Sequence, residues 1–357
     1  MSTSNPTTKI IAIVGATGNQ GSSVAKTFLT LRPHWHVRAL TRDPTSPASR
    51  ELAAQGAEVV RADLEDPASL EAAVAGAHAV FLNTDFWAPY RTSLAAGKTQ
   101  DAASRIGFET EMRHARHVVA AVAKTAPASL ERLVYSALAP LREASGGRYT
   151  HSYHWDSKAA AAAWIASSAS GIANKASYIY IGAYSTNPLV IPKKNPQGEY
   201  EVVLPAGRGM RMPVLDIEAS TGPFVRCLVE DEPSNTNLLA YDEYLDMGGL
   251  MRAWTEAVES TAENDSSSSS SSSKKPQPPR FVQMDLHEMS RATGLPLEVL
   301  EAPPFVEEFG YMGGVSGGFV EPHQLKTKPH TRAFVDTLKS HGREYLLGAK
   351  LPTAATI

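Results

Sequence analysis

Lys9-Ile10-Ile11-Ala12-Ile13-Val14-Gly15-Ala16-Thr17-Gly18-Asn19-Gln20-Gly21 is the stretch from which the fold can be read. Lys9 to Val14 is a short, nearly continuous apolar run, as expected of a strand buried on both faces of a parallel sheet. Glycine follows at once, and Val24, Phe28 and Leu31 then recur at helical spacing. A glycine turn between a buried strand and a helix is the setting of a dinucleotide site. Gly15 permits the tight turn, Gly18 lets the backbone approach a pyrophosphate, and Gly21 allows close helix packing. Ala16, Thr17, Asn19 and Gln20 complete the turn, and the amino terminus of the helix offers its unpaired N–H groups to the anion.

The rhythm continues outward. His36 to Leu40 reads as a strand, Ala48 to Gln55 as a helix, Glu58 to Ala62 as a strand, Pro67 to Val74 as a helix and His78 to Leu82 as a strand. Asp85 to Gly107 breaks the alternation and reads as a loop over the carboxyl edge of the sheet. A helix over Phe108 to Lys124, a strand at Arg132 to Ser136, an alanine-rich helix capped by Asp156 or Ser157, and a strand at Ser177 to Ile181 follow. Strands alternating with helices predict an α/β fold, an NAD(P)-binding Rossmann-type doubly wound parallel sheet. From Pro188 the chain is richer in proline and loses strict alternation. The expected division is a dinucleotide-binding domain over 8–187 and a smaller α/β lobe for substrate or partner over 188–352. A Ser-rich insertion at 264–279 has no side chains to pack and reads as a surface loop.

Composition narrows the function. The 357 residues allow about two domains at a soft prior of about 150 residues each. Lys plus Arg number 34 against 37 Asp plus Glu, a formal net charge of −3, so there is no general attraction to nucleic acid or anionic lipid. A single cysteine, Cys227, excludes an internal disulfide framework and a multi-cysteine metal cage, which suits a reducing compartment. Its neighbours, Phe224-Val225-Arg226 and Leu228, make it a small buried hydrophobe. Met1 to Lys9 lacks the apolar region of a secretory signal, and no apolar run approaches the ~20 residues that span a bilayer. The expected location is the cytoplasm, with the nucleus as the second choice, and no membrane contact.

The phosphate state of the cofactor is read about 20 residues beyond the glycine turn, at the end of the second strand. There the sequence is Leu40-Thr41-Arg42-Asp43-Pro44. Arg42 offers a guanidinium fork to a 2′-phosphate and Thr41 a hydroxyl, which favours NADP over NAD. The competing reading is a surface arginine paired with Asp43.

These segments resemble the NmrA-like family of atypical short-chain dehydrogenases/reductases. Besides Gly15 to Gly21, the matching stretches are Thr41-Arg42-Asp43-Pro44, Gln55-Gly56-Ala57-Glu58-Val59-Val60, Ala62-Asp63-Leu64 and Gly76-Ala77-His78-Ala79-Val80-Phe81. Later ones are His154-Trp155-Asp156-Ser157-Lys158, Met212-Pro213-Val214 and Glu307-Glu308-Phe309-Gly310-Tyr311-Met312-Gly313-Gly314. The resemblance runs from about Lys9 to Gly314. It implies NADP(H) extended along the carboxyl edge of the sheet. It puts Gly15 to Gly21 on the pyrophosphate, Arg42 on the 2′-phosphate, and Asp63 with Leu64 beside the adenine. Asn83, Thr84, Asp85 and Phe86 would line the middle of the cofactor, Lys158 would reach the nicotinamide ribose, and Tyr184, Ser185, Thr186 and Asn187 would close the nicotinamide end. Arg113 stands where related proteins often carry Lys or Gln.

One departure bears on catalysis. Short-chain dehydrogenases use Tyr-x-x-x-Lys, in which the tyrosine hands a proton to the substrate oxygen. Here Ser136 and Lys158 are present but position 154 is histidine. The lysine charge would disfavour an imidazolium at His154 and weaken it as an acid. Tyr153 lies one residue off register, and Tyr135 precedes the serine. The candidate catalytic set is therefore Lys158, Ser136, Tyr153 and His154. No metal is expected: His114 with His117, and His151 with His154, are two-ligand pairs rather than sites. Asp216 reads as a helix cap. The functional expectation is an NADP(H)-dependent oxidoreductase reducing a small organic substrate in specialised metabolism. The alternative is a non-catalytic NADP(H)-binding redox sensor or transcriptional regulator acting through a protein partner.

Overall fold

A computed structural model describes residues 8–168, 171–264 and 277–348. The opening run forms β1 (Lys9–Val14), buried from Ile11 onward. Ile11 and Ile13 enter one apolar core, and Ala12 and Val14 enter the other, on the opposite face of the sheet. Both faces are covered, so the strand is apolar throughout.

The chain then winds through α1 (Asn19–Leu29), β2 (Trp35–Thr41), α2 (Pro47–Ala54), β3 (Glu58–Arg61), α3 (Pro67–Val74) and β4 (Ala79–Leu82). Ser46 and Asp66 cap α2 and α3, each with proline in the first turn, where a missing N–H costs nothing. The stretch expected as a loop over 85–107 is instead largely helical. It holds α4 (Trp87–Ala95) and the first turns of α5 (Gln100–Thr125), started by Asp85 and Thr99 side chains that accept backbone N–H groups. The weakly amphipathic Trp87–Ala95 has no clear helical stripe, which hid it.

Next come β5 (Arg132–Ala137), α6 (Leu141–Ala144), α7 (Tyr153–Ala166), β6 (Ala176–Ile181), β7 (Ala183–Tyr184), β8 (Lys193–Lys194), β9 (Tyr200–Leu204) and β10 (Arg211–Leu215). The chain continues through α8 (Ile217–Glu230), β11 (Asn237–Ala240), β12 (Glu243–Asp246), α9 (Met247–Asn264), β13 (Arg280–Gln283) and α10 (Leu286–Thr293). The last elements are α11 (Leu297–Leu300), α12 (Ala302–Phe309), α13 (Phe334–His341) and α14 (Arg343–Leu346). Asp216 caps α8, and Cys227 is buried, with its thiol pushed up to about 11 by burial.

Seven parallel strands lie in the order β11-β6-β5-β4-β1-β2-β3. The order reverses between β1 and β4, which leaves a crevice at the carboxyl ends of the strands. Two small sheets, β12-β10-β7 and β13-β9-β8, build the second lobe. The boundary expected near 187 meets an interleaved chain, because β11 pairs with β6 and α8 packs on α1. Of the insertion expected over 264–279, residues 265–276 lie outside the described residues.

The lobe is tied back to the sheet by Tyr311, whose buried hydroxyl donates to the Ile181 carbonyl at 2.7 Å while its ring meets Trp155 edge-on. Tyr311→Phe keeps the ring and orphans that carbonyl. It should lower unfolding free energy by about 1–2 kcal/mol in urea titrations, with an unchanged m-value.

Candidate functional site

A cleft of about 1270 Å³ opens at the strand-order reversal. Residues that follow β2 and β3 line one side of it, and residues that follow β5 and β6 the other. The glycine turn forms its floor. Gly15 has φ of 73°, a conformation that favours glycine. A Cβ on Gly21 would stand 2.1 Å from the Gly15 carbonyl oxygen. Gly15, Thr17, Gly18, Asn19 and Gln20 line the cleft. Gly21 and the fully buried Ala16 are not among its lining residues, so their contribution is to pack helix against strand. Gln20 Nε2 donates to the Tyr184 hydroxyl at 3.0 Å, and its Oε1 is a buried acceptor without a partner.

Arg42 stands exposed on the rim, and among the described residues no carboxylate lies within ion-pair distance of it. The alternative pairing with Asp43 does not form, because Asp43 Oδ1 accepts the Thr45 N–H at 2.8 Å and the Thr45 hydroxyl at 2.6 Å. Those hydrogen bonds hold the Asp43 carboxyl below its usual range. Asp63 and Leu64 also line this side. The loop that carries them is gripped by α5: Arg113 forks onto Glu65 at 2.6 and 3.0 Å, His114 Nε2 meets Glu65 at 2.9 Å, and His117 Nδ1 reaches the Leu64 carbonyl at 2.7 Å. The Arg113 fork, with His114, holds the Glu65 carboxyl down at about 2. Arg113, His114 and His117 are thus loop anchors. Among the described residues no cluster of three His, Cys, Asp or Glu could hold a metal ion.

Across the cleft, Lys158 is fixed by a residue the sequence did not single out. Its Nζ donates to Glu111 Oε1 at 2.7 Å and to the Thr84 carbonyl at 2.9 Å, with Asn83 Oδ1 at 3.4 Å. Glu111 has no solvent exposure. Thr84 Oγ1 donates to its Oε1 at 2.7 Å, and the Ser157 hydroxyl donates to its Oε2. A buried carboxylate needs this many donors. The only sequence trace of it was an acid inside the apolar stripe Gly107, Ala115, Val118, Val122 of α5, all buried. Asn83, Thr84, Asp85, Phe86 and Ser136 line the cleft beside Lys158. Tyr184, Thr186 and Asn187 line it too, whereas Ser185 is buried and does not.

His154 lines the same cleft one helical turn before Lys158. His154 and Lys158 each face a buried carboxylate of their own. His154 Nδ1 lies 2.7 Å from Glu298 Oε1, and Glu298 is only 2% exposed at its side chain. The same oxygen accepts the His154 backbone N–H at 2.8 Å, so α11 supplies the cap of α7 that was expected from Asp156 or Ser157. Anionic groups are favoured at such helix amino termini. The two tyrosine candidates do not line the cleft. Tyr153 packs against Phe108 and under the Arg142 guanidinium, lining a second cavity on the far side of α7. Tyr135 is fully buried, within 3.3 Å of the Thr84 hydroxyl, and burial pushes its phenol well up. Consecutive residues of a helix or strand point apart, which separates Tyr153 from His154 and Tyr135 from Ser136.

Taken together, a turn that only glycine fits, an unpaired guanidinium on the rim, a free buried amide oxygen and an anchored lysine have the chemistry to hold a dinucleotide carrying an extra phosphate. The NmrA-like family model matches residues 7–299. Two curated relatives are an NmrA-like family domain-containing oxidoreductase, hkm9, from Aspergillus hancockii and another, FrzB, from Cladobotryum sp. The first is 57% identical over 77 residues, 22% of this chain and 23% of the relative. The second is 40% identical over 141 residues, 40% of this chain and 37% of the relative, so the matched stretches span well under half of either relative. Among solved structures, NmrA, a negative transcriptional regulator in complex with NADP, superposes with a TM-score of 0.58 at 18% identity, over 96% of this chain and 95% of that one. The NADPH-dependent quinone oxidoreductase QOR2 from Escherichia coli, complexed with NADPH, gives 0.61 at 19% identity, over 93% and 99%. At such identities the structures support the fold, and the family match, which covers most of the chain, supplies the rest: this protein belongs to the NmrA-like family.

Proposed function

We propose that the cleft binds NADP(H) and that the protein is an oxidoreductase that reduces a small organic substrate. The observation that carries this reading is Lys158, locked by the buried Glu111 and facing the cleft where Phe86, Trp87, Met210 and Met212 give an apolar lining. Such a pocket with a few fixed polar groups suits a small ligand. Arg42 would take the 2′-phosphate, the glycine turn the pyrophosphate, Asp63 and Leu64 the adenine side, and Lys158 the ribose of the nicotinamide half. A bound reduced nicotinamide supplies hydride. The oxidoreductase names of the curated relatives support the reading. The domain division 8–187 and 188–352 is proposed in the same functional sense: the first part holds the cofactor, and the second covers the substrate.

A second reading, a redox-sensing regulator that binds NADP(H) without turnover, is favoured by one observation: histidine occupies the position of the usual tyrosine donor. NADPH oxidation against a panel of aldehydes, ketones, imines and activated alkenes, run beside a partner pull-down with and without NADPH, separates the two. Turnover supports the enzyme. No oxidation, together with a partner whose capture depends on NADPH, supports the regulator.

Cofactor choice should depend on Arg42. Isothermal titration at fixed salt should give tighter NADPH than NADH, and Arg42→Glu should weaken NADPH binding about 10- to 100-fold while sparing NADH. Equal wild-type affinities would exclude the assignment.

Lys158→Met leaves Glu111 as an uncompensated buried charge and should lower stability by about 3–5 kcal/mol. Adding Glu111→Gln should recover most of that loss in thermal or urea unfolding while turnover stays low. Turnover restored in the double variant would show that Lys158 serves only the fold.

A further inference from the structure

Resting on the reductase reading above, we propose that Glu298 and His154 form a proton-donating dyad in the cleft, with His154 as the acid and Glu298 as its positioning residue. The contact of Nδ1 with the Glu298 carboxylate places a proton on Nδ1, so Nε2 is the nitrogen left for chemistry. Among the described residues Nε2 has no hydrogen-bond partner, and it is not among the buried unpartnered atoms, while the residue lines the cleft. The ring cannot swing freely. Trp87 and Phe86 pack on it, at 4.9 and 5.9 Å between centroids, and the backbone N–H of the same residue shares the carboxylate. Glu298 is itself held through Oε2 by the Ser104 hydroxyl at 2.6 Å. A base oriented by a hydrogen-bonded carboxylate is the general logic of an acid–base dyad.

The charged neighbours on the packed elements are arranged in keeping with this role. Lys158 on the same helix is matched by Glu111 on α5, and Asp156 turns to Arg142, accepting its backbone N–H at 2.9 Å. His151 gives an internal comparison. It pairs with Glu301 as His154 pairs with Glu298, at 2.6 Å, but its side chain is half exposed and does not line the cleft. The two pairs tie α7 to the second lobe alike, and only one of them is aimed at a substrate.

The substrate class follows. Hydride adds to the electrophilic carbon of a C=O or C=N bond, the π electron pair passes to the heteroatom, and imidazolium Nε2–H gives that atom its proton, leaving neutral imidazole to be reprotonated by water. The Nδ1 proton stays on the imidazole throughout, donated in a hydrogen bond to the Glu298 carboxylate. The apolar lining selects carbonyl or imine compounds that are otherwise hydrophobic.

The test uses the full chain with NADPH and a panel of apolar ketones, aldehydes, imines and activated alkenes. His154→Gln should lower kcat about 100-fold or more, and Glu298→Gln about 10-fold, each with KM and NADPH affinity within about two-fold. Added imidazole should restore part of the rate of His154→Ala, and His151→Gln should keep wild-type kcat. Histidine-labelled proton–nitrogen NMR supplies a readout that needs no turnover: a hydrogen-bonded Nδ1–H signal lost in both His154→Gln and Glu298→Gln. Wild-type turnover that survives in His154→Gln, a missing Nδ1–H signal, or turnover confined to alkenes would overturn the dyad and leave the reductase reading standing. Absence of wild-type turnover would overturn that reading and the dyad with it.

Discussion

Burying a carboxylate is tolerable only when every lone pair it loses to water is met by a donor, and the geometry of this cleft follows from that constraint at Glu111. Its partners come from two other places in the chain: Lys158 and Ser157 on α7, and Thr84 after β4. Satisfying one side chain therefore fixes α5, α7 and the β4 edge relative to one another. Lys158 is left with its ammonium in one place, because its donors are shared between Glu111 and the Thr84 carbonyl. A lysine so held is a better positioning group than a free one, whose long stem would cost entropy to order.

The same device recurs at the front of α7. Helix amino termini leave unsatisfied N–H groups, and α7 has no side-chain cap from its own flanking residue Ser152. Glu298 and Glu301, three residues apart, reach in from the second lobe and accept the backbone N–H groups of His154 and His151. The second lobe is thus hydrogen-bonded to the start of the helix that carries Lys158. Tyr311 on Ile181 adds a further tie, at the carboxyl end of β6.

The sheet itself is indifferent to the reaction it supports, so the chemistry has to come from side chains placed around the cleft. The turn from Gly15 to Gly21 and the rim arginine lie on the side of the cleft that follows β1 and β2. At the far side of the cleft, His154 presents an imidazole where short-chain dehydrogenases carry a phenol. The buried partner of that imidazole lies 144 residues further along the chain.

Local chemistry was enough to read β1, the glycine turn and the alternation that builds the sheet, since each depends on residues near one another in sequence: apolar periodicity and a left-handed turn. It was enough also for the ends of α3, which match Pro67–Val74. It failed at Trp87–Ala95, where tertiary packing rather than a helical stripe supports the helix, and at the start of α7, whose cap comes from another lobe. Glu111 and Glu298 were illegible for the same reason. In the sequence each is one acid among 37 acidic residues, and only the tertiary structure removes them from water and brings Lys158 and His154 to them. A carboxylate acquires its role from burial and from donors far away in the chain, and no local pattern encodes either.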